Sequence, residues 1–395
     1  LKFLFVMSYI VIAVCVLLLL AYVFDITASK TRIPSVILLL VLGWATGQLS
    51  NIMGLNIPDL NQILPVLGTI GLILIVLEGA LELEITASKK KMIFKSFLMA
   101  LFPMLVLALG LAFAFSFFQG IGFQTALLNA LPLSVISSAI AIPSARYLKP
   151  ENKEFVTYES SLSDILGVLF FNFVIVNDQV SVQSVGIFVF DVVLILIVSV
   201  ISALVLMVLL GRIKHHVKFV PIILMVLIVY YVAKIYHLPA LIFILLFGIL
   251  LGNLDVLKSL KFANKLHSEV LKREVHRFHP LVSEITFLIR ALFFLVFGFL
   301  IQTSELLNVD SILWAAAITL SIFVVRALFL KIMKLQVLPL LFVAPRGLIT
   351  ILLFLTIPAS HTIALSNKSL IIQVIVLCAL VMMFGLMYSK SRKEK

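Results

Sequence analysis

Residues 158–167 read YESSLSDILG and lie inside the apolar run FVTYESSLSDILGVLFFNFVIV. Two carboxylates, Glu159 and Asp164, and three serines stand where a charge costs on the order of 3 kcal/mol. On a helix at ~100° per residue, Glu159 lies at about 0°, Ser163 at about 40°, Ser160 at about 100° and Asp164 at about 140°. Ser160 and Asp164 therefore share one face, and Glu159 and Ser163 the neighbouring one. Asn172 roughly extends the Asp164 stripe. A third acid, Glu78, sits within LILIVLEGALELEI, while Glu82 and Glu84 approach the end of that run. Arg346, in VLPLLFVAPRGLITILLF, is the evident cation for the cluster. A guanidinium keeps its proton and so needs a carboxylate or helix carbonyls. Glu159 is the expected partner, forming a structural ion pair with Arg346. That leaves Asp164 as the variable charge. A carboxylate in apolar surroundings can be neutralised by a proton or by a metal cation, and the two compete. Oxygens from Asp164, Ser160, Glu78 and exposed carbonyls suit a hard cation such as Na⁺.

The elements that must position these groups are membrane spans. The chain of 395 residues is 63% hydrophobic and only 12% charged, which points to a polytopic membrane protein. Thirteen apolar runs are expected, near 3–24, 33–50, 61–83, 93–118, 124–147, 155–177, 185–211, 217–234, 238–254, 283–302, 309–330, 337–358 and 369–389. Their lengths suit helices crossing about 30 Å of hydrocarbon. Of the 30 Lys and Arg, 24 fall after odd-numbered runs and 3 on the opposite side. The positive-inside bias then puts the N-terminus outside and the C-terminus in the cytoplasm. The fold class expected is all-α, with two inverted six-helix repeats about 3–177 and 217–389 in a single transporter unit. Run 185–211 links them.

Two runs are interrupted. The fifth, LLNALPLSVISSAIAIPSARYL, carries Pro132, Ser137, Ser138 and Pro143; the twelfth carries Pro339, Pro345, Arg346 and Gly347. Backbone groups freed by a break are tolerated in a membrane only where protein or water satisfies them. Paired breaks in matching positions of two halves point to a transport site. The longest connection, 255–282, has Leu257, Leu260, Ala263, Leu266 and Val270 at helical spacing. It is expected to be an amphipathic helix on the cytoplasmic surface. Arg290, Arg326 and Asp191 read as pairing or snorkelling groups near the interfaces. His215 and His216 read as solvated residues of a basic loop. Cys15 and Cys378 lie in apolar runs, so neither disulfide nor metal site is expected. The net charge of +12 follows the membrane topology and does not indicate nucleic acid. With no nucleophile–base arrangement, metal-ligand cluster or phosphate loop in the sequence, neither an enzyme nor a cofactor is expected.

Three segments resemble one family. ESSLSD is similar to the E-S-x-x-N-D signature of sodium/proton exchangers of the NhaP and eukaryotic NHE type. FVAPRGLITILLF resembles their arginine-bearing R-G segment, and VLEGALEL their L-x-E-G-x-L segment. The resemblance implies an inverted-repeat fold, a core bundle moving against a dimerising scaffold, and elevator-like alternating access in an inner membrane. It implies that Asp164 carries the ion and the proton, assisted by Ser160 and Glu78, and that Glu159 pairs with Arg346. Two positions depart from the family pattern. Ser163 stands for the Asn before the key Asp. The Thr-Asp-Pro of the fifth helix has no acidic match, Ser138–Ala139 or Ala141–Ile142 standing there. One exchangeable carboxylate implies electroneutral exchange of H⁺ for Na⁺, Li⁺ or K⁺. A K⁺/H⁺ efflux antiporter or a sodium-coupled solute symporter of related fold is the alternative.

Overall fold

The structure is a computed structural model. It describes the chain except residues 1, 32, 55–59, 61, 84–85, 147, 178–181, 213–218, 237, 239, 255–267 and 392–395. The first seven helices are α1 (Lys2–Thr31), α2 (Ser35–Ile52), α3 (Ile63–Glu82), α4 (Lys90–Gln119), α5 (Phe123–Ser134), α6 (Ser138–Ala145) and α7 (Pro150–Val176). There follow α8 (Val182–Arg212), α9 (Phe219–Ile235), α10 (Leu241–Gly252), α11 (Ser268–Phe299), α12 (Thr303–Leu306), α13 (Val309–Ile332), α14 (Leu348–Leu355) and α15 (Lys368–Ser391). Among the described residues, nine helices are long and apolar enough to cross a membrane, α5 and α6 together making one of them. Val11–Thr27 within α1, together with α9 and α10, adds three shorter apolar helices, and the interrupted segment that ends in α14 completes thirteen crossings. The fold is all-helical, as the length and spacing of the apolar runs require.

Local chemistry sets the ends. Pro150 opens α7, where its missing N–H is one the helix would leave unpaired anyway. Gly120 closes α4 in the left-handed conformation at φ 64°. Helices α2 and α11 meet backbone to backbone. A methyl on Gly43 would stand 2.3 Å from the Leu295 carbonyl oxygen, and one on Gly298 would stand 2.4 Å from that of Leu40. Small residues at such a contact let two helices gain dispersion where lipid offers no hydrophobic drive.

The connector differs from expectation. Residues 255–267, with Leu257, Leu260, Ala263 and Leu266, lie outside the described residues, as do His215 and His216. From Ser268 onward the chain is already in α11, which runs unbroken to Phe299. Phe278 and Val282 are fully buried there, so this stretch packs into the protein and extends the tenth crossing.

The first break falls at Ser137 and not at the prolines, while Pro345 and Gly347 lie in the second. Pro132 lies inside α5 and Pro143 inside α6, while the helix opens at Val135–Ser137. The opening is set by tertiary partners. The Ile136 N–H donates to Ser163 Oγ at 2.9 Å, and the Ser137 N–H donates to the Pro345 carbonyl at 2.9 Å. Each bond replaces one that a continuous helix would supply. In the twelfth crossing a single 3₁₀ turn, Leu340–Phe342, precedes the non-helical segment 343–347 that leads into α14.

Candidate functional site

The two interrupted segments cross at the Ser137–Pro345 bond. Gly347 permits the approach, since a methyl there would lie 2.6 Å from Ile140 Cδ1 and 3.1 Å from Ser137 Oγ. Beside the crossing runs the middle of α7. Its polar residues Glu159, Ser160, Ser161, Ser163 and Asp164 are all at most 1% exposed.

Asp164 faces the first turn of α6. Its Oδ2 accepts from the Ser138 backbone N–H at 3.3 Å and, in a short bond, from the Ser138 hydroxyl. The positive end of the α6 dipole thus meets the carboxylate. The other oxygen, Oδ1, is buried without a hydrogen-bond partner. Ser138, the first residue of α6, thus holds Asp164 with both its amide and its hydroxyl. Ser163 is turned away to receive the Ile136 N–H. Ser160 donates to the Val156 carbonyl of its own helix at 2.7 Å.

Glu159 is not paired with Arg346. Both of its oxygens are held by Arg326 of α13, at 2.7 Å from Nη1 and 2.8 Å from Nη2, and both side chains are nearly fully buried. Arg326 is therefore a core residue and not an interfacial snorkeller. Its Nε also donates to the Leu340 carbonyl at 2.8 Å. Arg346 instead serves carbonyls: Nε to Leu133 at 2.9 Å, Nη2 to Ser134 at 3.1 Å and Nη1 to Ala344 at 2.9 Å. Leu133 and Ser134 end α5, where unpaired carbonyls and the negative end of the dipole favour a cation. Arg346 thus satisfies carbonyls at both breaks, and Arg326 one beside the second. A cavity between α4, α13 and the crossing is lined by Ser134, Ile136, Ser163, Arg326 and Arg346, among others.

Glu78 stands apart. It is buried on α3, and the groups acting on it are Arg290 and Ser283 of α11, Arg146 and Glu82, none of them from α7. Arg290, 4% exposed, is likewise buried. At the ends of α3 and α7, Lys153 Nζ lies 3.4 Å from Glu82. Among the described residues no group of three or more His, Cys, Asp or Glu could hold a metal ion; both cysteines are free thiols. The sequence signal for Arg326 was its place as a lone cation on an otherwise apolar span; what it lacked was a neighbour.

The whole sequence from residue 15 to residue 389 matches the transmembrane domain of sodium/hydrogen exchangers. The chain belongs to the sodium/hydrogen exchanger family. Members of this exchanger family are transporters and not a class of enzyme, and the chain is an integral membrane protein. Its fold is similar to that of the sodium proton antiporter MjNhaP1 from Methanocaldococcus jannaschii at pH 8. The TM-score is 0.70 and the identity 20%, over 98% of this chain and 99% of that one. An electron-microscopy structure of the same antiporter matches with a TM-score of 0.69 and 18% identity, over 95% of this exchanger-family chain and 94% of the other. A comparison with curated proteins gave no match.

Proposed function

We propose that the protein is a secondary active antiporter that exchanges protons for Na⁺, or for Li⁺ or K⁺, with Asp164 as the shared carboxylate. One observation carries this reading. Asp164 is buried at the crossing of two interrupted helices, with one oxygen held by the start of α6 and the other unpartnered. A single negative charge in that setting accepts a proton or a cation, but not both, so each transit carries one or the other. Exchange is electroneutral, one for one, because neither Ser138–Ala139 nor Ala141–Ile142 supplies a second charge. Ser160 assists through its oxygen, because its hydroxyl donates backwards and leaves lone pairs free; Glu78, set on α3 against Arg290 and Ser283, stands outside the Asp164 site and is not one of its ligands. Ser163 acts by holding the break open at Ile136.

The chain is built of two inverted repeats, 3–177 and 217–389, and a core bundle moves against a scaffold that dimerises, elevator fashion. The N-terminus faces outside and the C-terminus the cytoplasm of a bacterial inner membrane, consistent with the Lys and Arg bias. The test is reconstitution into liposomes with an imposed pH gradient. Addition of Na⁺ collapses the gradient, Li⁺ and K⁺ rank below or beside it, and Asp164→Asn abolishes the effect. Collapse that persists in Asp164→Asn rules Asp164 out as the carrier.

A further inference from the structure

Three buried oxygens near the crossing have no hydrogen-bond partner: Asp164 Oδ1, Ser137 Oγ and Ser161 Oγ. Ser161 is the one that neither the motif nor the ion pair explains. It is fully buried, three residues before Asp164 on α7, and so its neighbour on the helix surface one turn away. Buried hydroxyls are satisfied as a rule, by water or ligand where protein offers nothing.

Its surroundings point in one direction. Opposite Ser161 is Gly79 of α3, where an added methyl would lie 3.2 Å from Ser161 Oγ and 3.2 Å from Ile142 Cδ1 of α6. Both contacts are tighter than a methyl normally makes, so the gap beside the hydroxyl is small and stays open only because Gly79 has no side chain. Four residues back from Ser161 is Thr157, buried, its hydroxyl donating to the Lys153 carbonyl at 3.0 Å. Four further back is Lys153, which meets Glu82 at 3.4 Å; Glu82 lies three residues beyond Gly79 on α3. Helices α3 and α7 therefore face each other with matched polar positions. On α7 they run Lys153, Thr157, Ser161, Asp164; on α3 they run Glu82, Gly79. The Lys153–Glu82 end is partly exposed and the Asp164 end is fully buried.

We propose that Ser161 is a cation way station: its hydroxyl oxygen coordinates a monovalent cation, stripped of water on the α3 side, one helical turn before Asp164 on the Lys153–Glu82 side. The inference rests on the antiport reading. A hard oxygen close to the carboxylate replaces part of the ion's water before the charge is met, which lowers the cost of entering a dry site. Gly79 sets the narrow room available for the bare side of the ion.

The test uses the full chain in proteoliposomes, with Na⁺, Li⁺ and K⁺ varied separately. Ser161→Ala raises the half-saturating Na⁺ concentration about three- to tenfold while the maximal rate stays within about twofold, tenfold being about 1.4 kcal/mol. In the purified protein, the Na⁺ concentration giving half of the thermal stabilisation moves by the same factor. Gly79→Ala keeps the hydroxyl but narrows the gap, and penalises K⁺ more than Li⁺; it serves as well if Ser161→Ala does not fold. An unchanged half-saturation for all three ions, or a fall in maximal rate alone, overturns the way station. If the wild type exchanges Na⁺ and Asp164→Asn does not, that overturning leaves the antiport reading intact. A wild type that shows no cation-dependent exchange removes both.

Discussion

Arg326 grips Glu159 through both ends of its guanidinium, 2.7 Å from one carboxylate oxygen and 2.8 Å from the other, in a place neither side chain shares with water. The pair joins α7 to α13, and through the Leu340 carbonyl it also reaches the second interrupted segment. A buried pair of this geometry gives little net stability over an apolar replacement, but breaking it strands a charge.

Removing one partner is therefore the severe change. Glu159→Gln or Arg326→Met should each lose about 3–5 kcal/mol of stability. The double variant should lose much less than the two losses together. Thermal unfolding in detergent measures all three. Strictly additive losses would show that the two residues do not act as a unit.

Ser138 holds Asp164 with a hydroxyl as well as an amide. Ser138→Ala leaves only the amide. A hydrogen bond to a charged group is worth about 1.5–3 kcal/mol, so cation-driven exchange should fall about ten- to a hundredfold. Ser138→Thr keeps the hydroxyl and should retain most activity. Equal rates in Ser138→Ala and wild type would mean the bond does not shape the carrier.

Arg346 binds three carbonyls and no carboxylate. Its value lies in the planar fork of donors more than in the charge. Arg346→Lys keeps the charge but offers no matching fork, and should lose exchange nearly as fully as Arg346→Leu. Activity close to wild type in Arg346→Lys would show that charge alone suffices.

The span count, the two interruptions and the buried polar face of α7 were legible in the sequence. Each depends on a run length or a helical period, which are local properties. The partner of Glu159 was not. Arg326 and Arg346 both lie in apolar spans, and a helical wheel gives a face but not the helix it meets. What opens the first break, between Pro132 and Pro143, was hidden for a related reason. Prolines are visible in a sequence, whereas the acceptors that open the helix, Ser163 Oγ and the Pro345 carbonyl, belong to distant segments. The α11 start was missed because its charged first turns look like a surface connector, although Phe278 and Val282 are buried.

The contact between α2 and α11 is made of backbone. Gly298→Leu would drive a side chain into the Leu40 carbonyl, already 2.4 Å from where a first methyl would stand. The helices must part, so the variant should lose about 1–3 kcal/mol or more of stability. The thermal midpoint in detergent reads the loss; a midpoint equal to wild type would mean the helices can separate freely.

The tie between Ser137 and Pro345 bears on biosynthesis. While the early spans are already in the bilayer, the ribosome has yet to make the proline that will satisfy the Ser137 amide, and the arginine that will satisfy Leu133 and Ser134. Until then the first opened helix carries bare peptide groups in or near lipid, with Ser163 and Asp164 from its own half to help only at Ile136 and Ser138. The nascent protein thus reaches a fully hydrogen-bonded interior late, when its last third is threaded, and truncation before Pro345 leaves an intermediate that quality-control proteases should recognise.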